Sequence, residues 1–143
     1  MKRLRILVLM HKDLVPPDHP NGHDLKNVEW KTEFDVVNTL RKLGHEVFPL
    51  GVKSDLGVIR TAIEEWKPHI AFNLLEEFDG VAVYDQNVVS YLELLRIPYT
   101  GCNPRGLMLA RDKVLSKKIF SFHRIPSPDF ITVPQGRSGK RPK

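Results

Sequence analysis

A chain of 143 residues with 41% hydrophobic and 27% charged side chains has enough apolar material for one compact domain and too little for two. Its formal charge is +5, but Arg137, Lys140, Arg141 and Lys143 crowd into the last ten residues without an acid, so the body is near neutral and presents no basic face for nucleic acid. One cysteine, Cys102, excludes an internal disulfide, and no run reaches the roughly 18–20 apolar residues of a membrane span.

The N-terminus, MKRLRILVLM, imitates a signal peptide only briefly. Its apolar run stops at Met10, and His11, Lys12 and Asp13 follow with no small-residue cleavage site. The expectation is a cytoplasmic domain. Residues 5–10, RILVLM, carry a continuous apolar run after Arg5, as in a strand buried on both faces of a parallel sheet. A loop rich in Pro, Asp, His and Gly runs from His11 to about Asp24. Trp30, Phe34 and Val37, with Val36, Leu40 and Leu43, then repeat at helical spacing, and Gly44 supplies a left-handed stop. HEVFPL at 45–50 predicts a second strand. Ser54 or Asp55 can cap a helix whose Leu56, Ile59, Ile63 and Trp66 form one stripe, ended by Pro68.

HIAFNLL at 69–75 predicts a third buried strand, followed by the acidic loop EEFDGVAVYDQ at 76–86. Val88, Leu92 and Leu95 mark a helix, and IPYT at 97–100 a fourth short strand. Asn103 is a good N-cap with Pro104 in the first turn, and Gly106 limits that helix to a turn or two. Asp112 can cap a further helix in which Leu115, Ile119 and Phe122 share a face. HRIPSP breaks it, and DFITV at 129–133 reads as a last strand. Beyond Val133 the composition is that of a linker.

Strand and helix alternate throughout. This predicts an α/β, Rossmann-like three-layer domain over 1–133 with a mostly parallel sheet, and a basic tail over 134–143. In such sheets the loops at the carboxyl ends of the strands surround the ligand crevice. Those loops are His11–Asp24, Glu76–Gln86 and Gly101–Asn103. Asn73, at the third strand's end, is well placed to face the crevice, with Glu76, Glu77, Asp79 and Asp85 just beyond it. Such carboxylates can hold an ammonium or a metal, or serve as acid and base; they can equally be solvated loop charge.

Lys113 opens a helix, where the dipole opposes its charge, so a phosphate at that helix start would suit it; pairing with Asp112 or plain exposure suits it too. His11, His19 and His23, with Asp13, Asp18 and Asp24, match no common metal-ligand spacing, and no metal site is expected. Cys102 has no histidine nearby in sequence and is expected to serve packing in its turn. GRSGKRPK fails the phosphate-loop pattern: only two residues separate its glycines, and Arg141 follows Lys140.

LELLRIPYTGCNPRGLMLARDK, residues 92–113, resembles the segment of D-alanine–D-alanine ligases and related ATP-grasp ligases that runs into a helix carrying Met-Asp-Lys. RILVLM, LRKLGHEVFPL and HRIPSPDFITV fall in the same order around it. The resemblance covers about the first 133 residues of a much longer architecture. It implies a pre-ATP-grasp N-terminal domain, with two further lobes clamping ATP and Mg²⁺. It maps the family's phosphate-contacting lysine onto Lys113 and places Asn73, Glu76, Glu77 and Asp79 on the substrate crevice. The magnesium-binding acids of the family belong to its last lobe, so no catalytic or metal residue is expected here.

The implied partners are the ATP-grasp lobes and an amino-acid or peptide substrate, with a homodimer open. The tail resembles the loop that precedes the ATP-grasp lobe, so a domain boundary is expected there and the chain is expected to be inactive alone. Where the family has a Gly-Gly loop and then a glutamate gripping the substrate ammonium, this chain has HKDLVPPDHPNGHD. The glutamate position falls on a non-acidic residue, with Glu29 and Glu33 out of register. The substrate is thus D-alanine or another amino acid or peptide carboxylate. The other function open to the chain is a stand-alone module that binds a small ligand or dimerises without catalysis.

Overall fold

The computed structural model describes residues 2–20, 22, 24–134, 136, 137 and 139. The centre of the sheet is β1 (Arg5–His11), with β2 (Glu46–Val52) on one side and β3 (Ile70–Asn73) on the other, both parallel to it. Ile6 lies opposite Val47 and Ile70, and Leu9 opposite Leu50 and Asn73. The apolar run explains the central position. Successive side chains of a strand point to opposite faces, and every residue from Ile6 to Met10 is buried. Leu7 and Leu9 enter one core cluster, while Ile6, Val8 and Met10 enter the other.

The chain order fixes which helix covers which face. From β1 the chain passes through α1 (Lys31–Lys42) to β2. It then returns across β1 through α2 (Gly57–Trp66) to β3, and onward through α3 (Asp85–Leu94). Right-handed crossovers running in opposite directions put their helices on opposite faces. Accordingly Val36, Val37 and Leu40 of α1 pack with Val8 and Met10, whereas Ile59 and Ala62 of α2 and Val88 and Leu92 of α3 pack with Leu7 and Leu9. The result is the expected three-layer α/β domain. The direction of winding reverses between β1 and β3, and a crevice opens at their carboxyl ends for that reason.

The helix ends follow the local chemistry. Gly44 adopts φ 86° just past α1, as a left-handed stop requires. Asp55 Oδ1 accepts from the Gly57 N–H at 2.7 Å, leading the chain into α2. Asn103 Oδ1 accepts from the Gly106 N–H at 2.8 Å and starts α4 (Pro104–Arg111). Asp112 Oδ1 accepts from the Leu115 N–H at 2.8 Å and starts α5 (Lys113–Phe122). α4 spans eight residues, about two turns, in keeping with the expected turn or two. Gly106 has a packing reason to be there: a Cβ on it would meet the Cys102 Cβ at 3.2 Å.

Two expected strands differ. IPYT is reduced to a single bridge, in which the Ala71 N–H donates to the Pro98 carbonyl and the Thr100 N–H to the Ala71 carbonyl. Pro98 has no N–H with which to extend a ladder. DFITV is exposed and irregular, although its composition suits a strand. A strand exists only through a neighbour's backbone groups, and local propensity cannot supply one. Instead this segment lies beside α5, with the Lys117 Nζ donating to the Pro128 carbonyl at 2.8 Å and sitting 5.4 Å from the Phe130 ring centroid. No described residue of α4 or α5 is buried. The expected 133/134 boundary abuts residues 135, 138 and 140–143, outside the described set, as is His23 of the histidine-rich loop.

Candidate functional site

The cleft at the carboxyl edge has a volume of about 600 Å³ and lies where the winding reverses. It is lined by His11 at the end of β1 and Leu14 beyond it, by Thr32 and Glu33 at the start of α1, by Asn73 at the end of β3 and the following residues to Glu77, and by Ala82. The lining carries three carboxylates and one imidazole, with no lysine or arginine among the described residues.

Of the four expected crevice residues, Asn73, Glu76 and Glu77 line this cleft. Asn73 is turned back on its own loop: its N–H donates to the Thr100 Oγ1 at 3.0 Å, and its Oδ1 accepts from the Leu75 N–H at 3.2 Å. It shapes the cleft mouth rather than reaching into it. Glu77 is joined to β1 through His11, whose Nε2 lies 3.3 Å from the Glu77 Oε1. The His11 Nδ1 accepts from the Asp13 N–H at 3.2 Å, which leaves Nε2 as the donor toward Glu77. Asp79 is not among the lining residues. It sits in a turn at φ 54°, beside Gly80 at φ 72°, with its N–H donating to the Lys53 carbonyl at 2.8 Å.

The side chain that sequence reasoning undervalued is Glu33. It is only 7% exposed, it lines the cleft from the first turn of α1, and its Oε2 is buried with no hydrogen-bond partner among the described residues. A buried carboxylate oxygen is ordinarily paired, so an orphan facing a cleft is informative. The available signal was an acid at i−4 to Val37, on the face that otherwise packs against the sheet; family register drew attention elsewhere.

Asp85 is separate from the cleft. It is 4% exposed and bound by Arg111, whose Nη2 donates to its Oδ2 at 2.6 Å and whose Nε lies 3.1 Å from that oxygen. The hydrogen bond to Asp85 raises the Arg111 pKa above its ordinary value. Lys113 is exposed, and its ammonium donates to the Ala110 carbonyl at 2.8 Å. The objection from the α5 dipole is therefore met locally, because the charge rests against the carboxyl end of α4. One of three ammonium donors is used. Cys102 is a free, exposed thiol at the turn before α4. Among the described residues no three His, Cys, Asp or Glu side chains converge as a metal cage, and no helix is long and apolar enough to cross a membrane.

These features define a Rossmann-like three-layer α/β domain of the pre-ATP-grasp type, with its crevice at the carboxyl edge of the sheet. The D-alanine–D-alanine ligase of Pelotomaculum thermopropionicum is 34% identical over 109 residues, covering 76% of this chain and 32% of the ligase. The crystal structure of D-alanine–D-alanine ligase from Bacillus anthracis superposes with a TM-score of 0.64 at 27% identity, over 96% of this chain and 41% of that one. The same enzyme complexed with ATP superposes at a TM-score of 0.68 and 24% identity, a likeness of fold. No family model matches the chain. The chain belongs to the D-alanine–D-alanine ligase-like proteins and corresponds to their N-terminal domain. It spans about a third of the length of the curated relatives it matches.

Proposed function

We propose that this chain forms one wall of the amino-substrate crevice, and one phosphate contact, of an ATP-dependent carboxylate–amine ligase, and that it is catalytically silent alone. The observation that carries this is Glu33, a lining residue of the cleft whose buried Oε2 has no hydrogen-bond partner among the described residues. A substrate ammonium supplies the donors that Glu33 lacks, and the pairing offsets the cost of holding that oxygen away from water. Glu77, 3.3 Å from the His11 Nε2, adds a second negative group. Glu76 adds a third at the rim. The described lining carries Glu33, Glu76 and Glu77, which suit the amine end of a substrate.

Residues 1–133 form the α/β unit, and 134–143 a basic linker toward ATP-grasp lobes. ATP, when bound, supplies the phosphoryl group that activates a carboxylate for attack by an amine. The Lys113 ammonium, exposed and with two donors unused, contributes positive charge toward a phosphate. The described acids form no magnesium cage, so no step is assigned to that ion within this chain.

The test is an NMR titration of this chain with D-alaninamide, which keeps the ammonium and lacks the carboxylate, against N-acetyl-D-alanine, which lacks the ammonium. Shifts at the Glu33, Asn73 and Glu77 amides with the first ligand alone are expected, and Glu33→Gln should abolish them. Equal responses to both ligands, or none to either, reject the crevice reading. Amide formation from ATP by this chain alone would overturn its silence. In a longer protein carrying the ATP lobes, Lys113→Ala should raise the KM for ATP; an unchanged KM rejects the phosphate role.

A further inference from the structure

α4 and α5 contribute nothing to either core cluster, yet Lys113 must hold a fixed place relative to the cleft if both serve one reaction. α4 packs beside α3, and within that packing Arg111 makes the charged contact that reaches both α3 and the cleft wall. Its guanidinium, at the last residue of α4, grips the buried Asp85 at the start of α3 by Nε and Nη2, and the same Nη2 donates to the Glu76 carbonyl at 2.9 Å. Asp85 is itself immobilised, its Oδ1 accepting from the Gln86 N–H at 2.7 Å. One planar fork thus spans three parts of the fold: the helix joint that carries Lys113 two residues on, the first turn of α3, and the backbone of a cleft residue. The Asp85 side chain is 5% exposed and that of Arg111 36%, so the carboxylate is withdrawn from water while the guanidinium keeps contact with it and the pair is screened in part.

We propose that Arg111 is a positioning residue that makes the cleft wall at Glu76–Glu77 and the Lys113 helix joint a single mechanical unit. This rests on the ligase reading only for its purpose; the coupling itself is a property of this chain. A lysine cannot reproduce it, because a single ammonium lacks the flat fork that reaches carboxylate and carbonyl together.

Amide hydrogen exchange on this chain, wild type against Arg111→Lys and Arg111→Met, tests the coupling without any ligand. In Arg111→Met, exchange should rise roughly tenfold to a hundredfold at residues 76–84 and at 104–122 together, the opening expected on losing hydrogen bonds to a charged group. Peptides from β1, β2 and β3 should keep their protection. Arg111→Lys should fall between, partly rescuing both segments in parallel. Faster exchange at 104–122 with 76–84 unchanged overturns the proposal, as does no change in either segment. Uniform acceleration that includes the sheet also overturns it, since Arg111 would then be an ordinary stabiliser. Failure here leaves the ammonium titration untouched, so the two claims fail separately.

Discussion

Replacing Glu33 with methionine should make the ligand-free domain more stable while removing its capacity to bind an amine. Glu33 is buried, with 7% of the residue exposed, and its Oε2 has no partner among the described residues. Leaving a buried acceptor unsatisfied costs about 1–3 kcal/mol, and more for a charged group. Against this, an acid in the first turn of α1 gains about 0.3–1 kcal/mol from the helix dipole. Methionine has similar length and adapts to irregular space, so it adds little strain. The balance is a net gain of about 1–2 kcal/mol, which for a domain of this size raises Tm by roughly 2–8 °C. Thermal and urea unfolding followed by circular dichroism would measure it. A Glu33→Met protein that is equally stable or less stable would refute the reasoning, because the carboxylate would then be satisfied in the free protein and would need no ligand. Glu33→Gln keeps one acceptor and adds donors, and should give a smaller gain.

Three other substitutions test the packing of the core and the electrostatics beside the sheet. Leu9→Ala, at a fully buried position in the central strand, should cost about 2–5 kcal/mol, whereas Leu94→Ala, at a side chain 79% exposed, should stay within about 0.5 kcal/mol; similar urea midpoints for the two would contradict the assigned core. Tyr99 is pushed up from 10.0 to about 12 by burial and by the hydrogen bond its hydroxyl donates to Glu93 Oε1 at 2.7 Å. A pKa raised by folding adds stability that is present below the unfolded value and lost as pH rises through the folded one. Stability should therefore fall between pH 10 and 12, and Tyr99→Phe should flatten that fall; an identical alkaline profile in the variant would exclude Tyr99 as its source.

The order of strands and helices through α3 was legible because each apolar run has the period of its element. After Arg5, the five residues ILVLM have no polar side chain to turn toward water, so that run could only be central. Gly44, Asn103 and Asp112 declared their helix ends through backbone requirements that a single residue carries. The site was legible in location, since the ends of β1 and β3 bracket the reversal in winding. It was less legible in membership. Asp79 looked like its neighbours Glu76 and Glu77, yet the left-handed turn it shares with Gly80 carries it off the cleft lining. Glu33 looked like a misplaced helix acid.

What the sequence determined by itself was the class of fold, the caps and the edge of the sheet that bears the cleft, because those follow from local periodicity and from chirality. Only the tertiary structure decided that the Glu33 Oε2 is buried without a partner among the described residues, that Asp85 is clamped by Arg111 across 26 positions, and that DFITV forms no strand. Each depends on a partner brought from elsewhere in the chain or withheld. Pairing, burial and ladder bonds are relations between distant segments, and no residue carries them in its own neighbourhood.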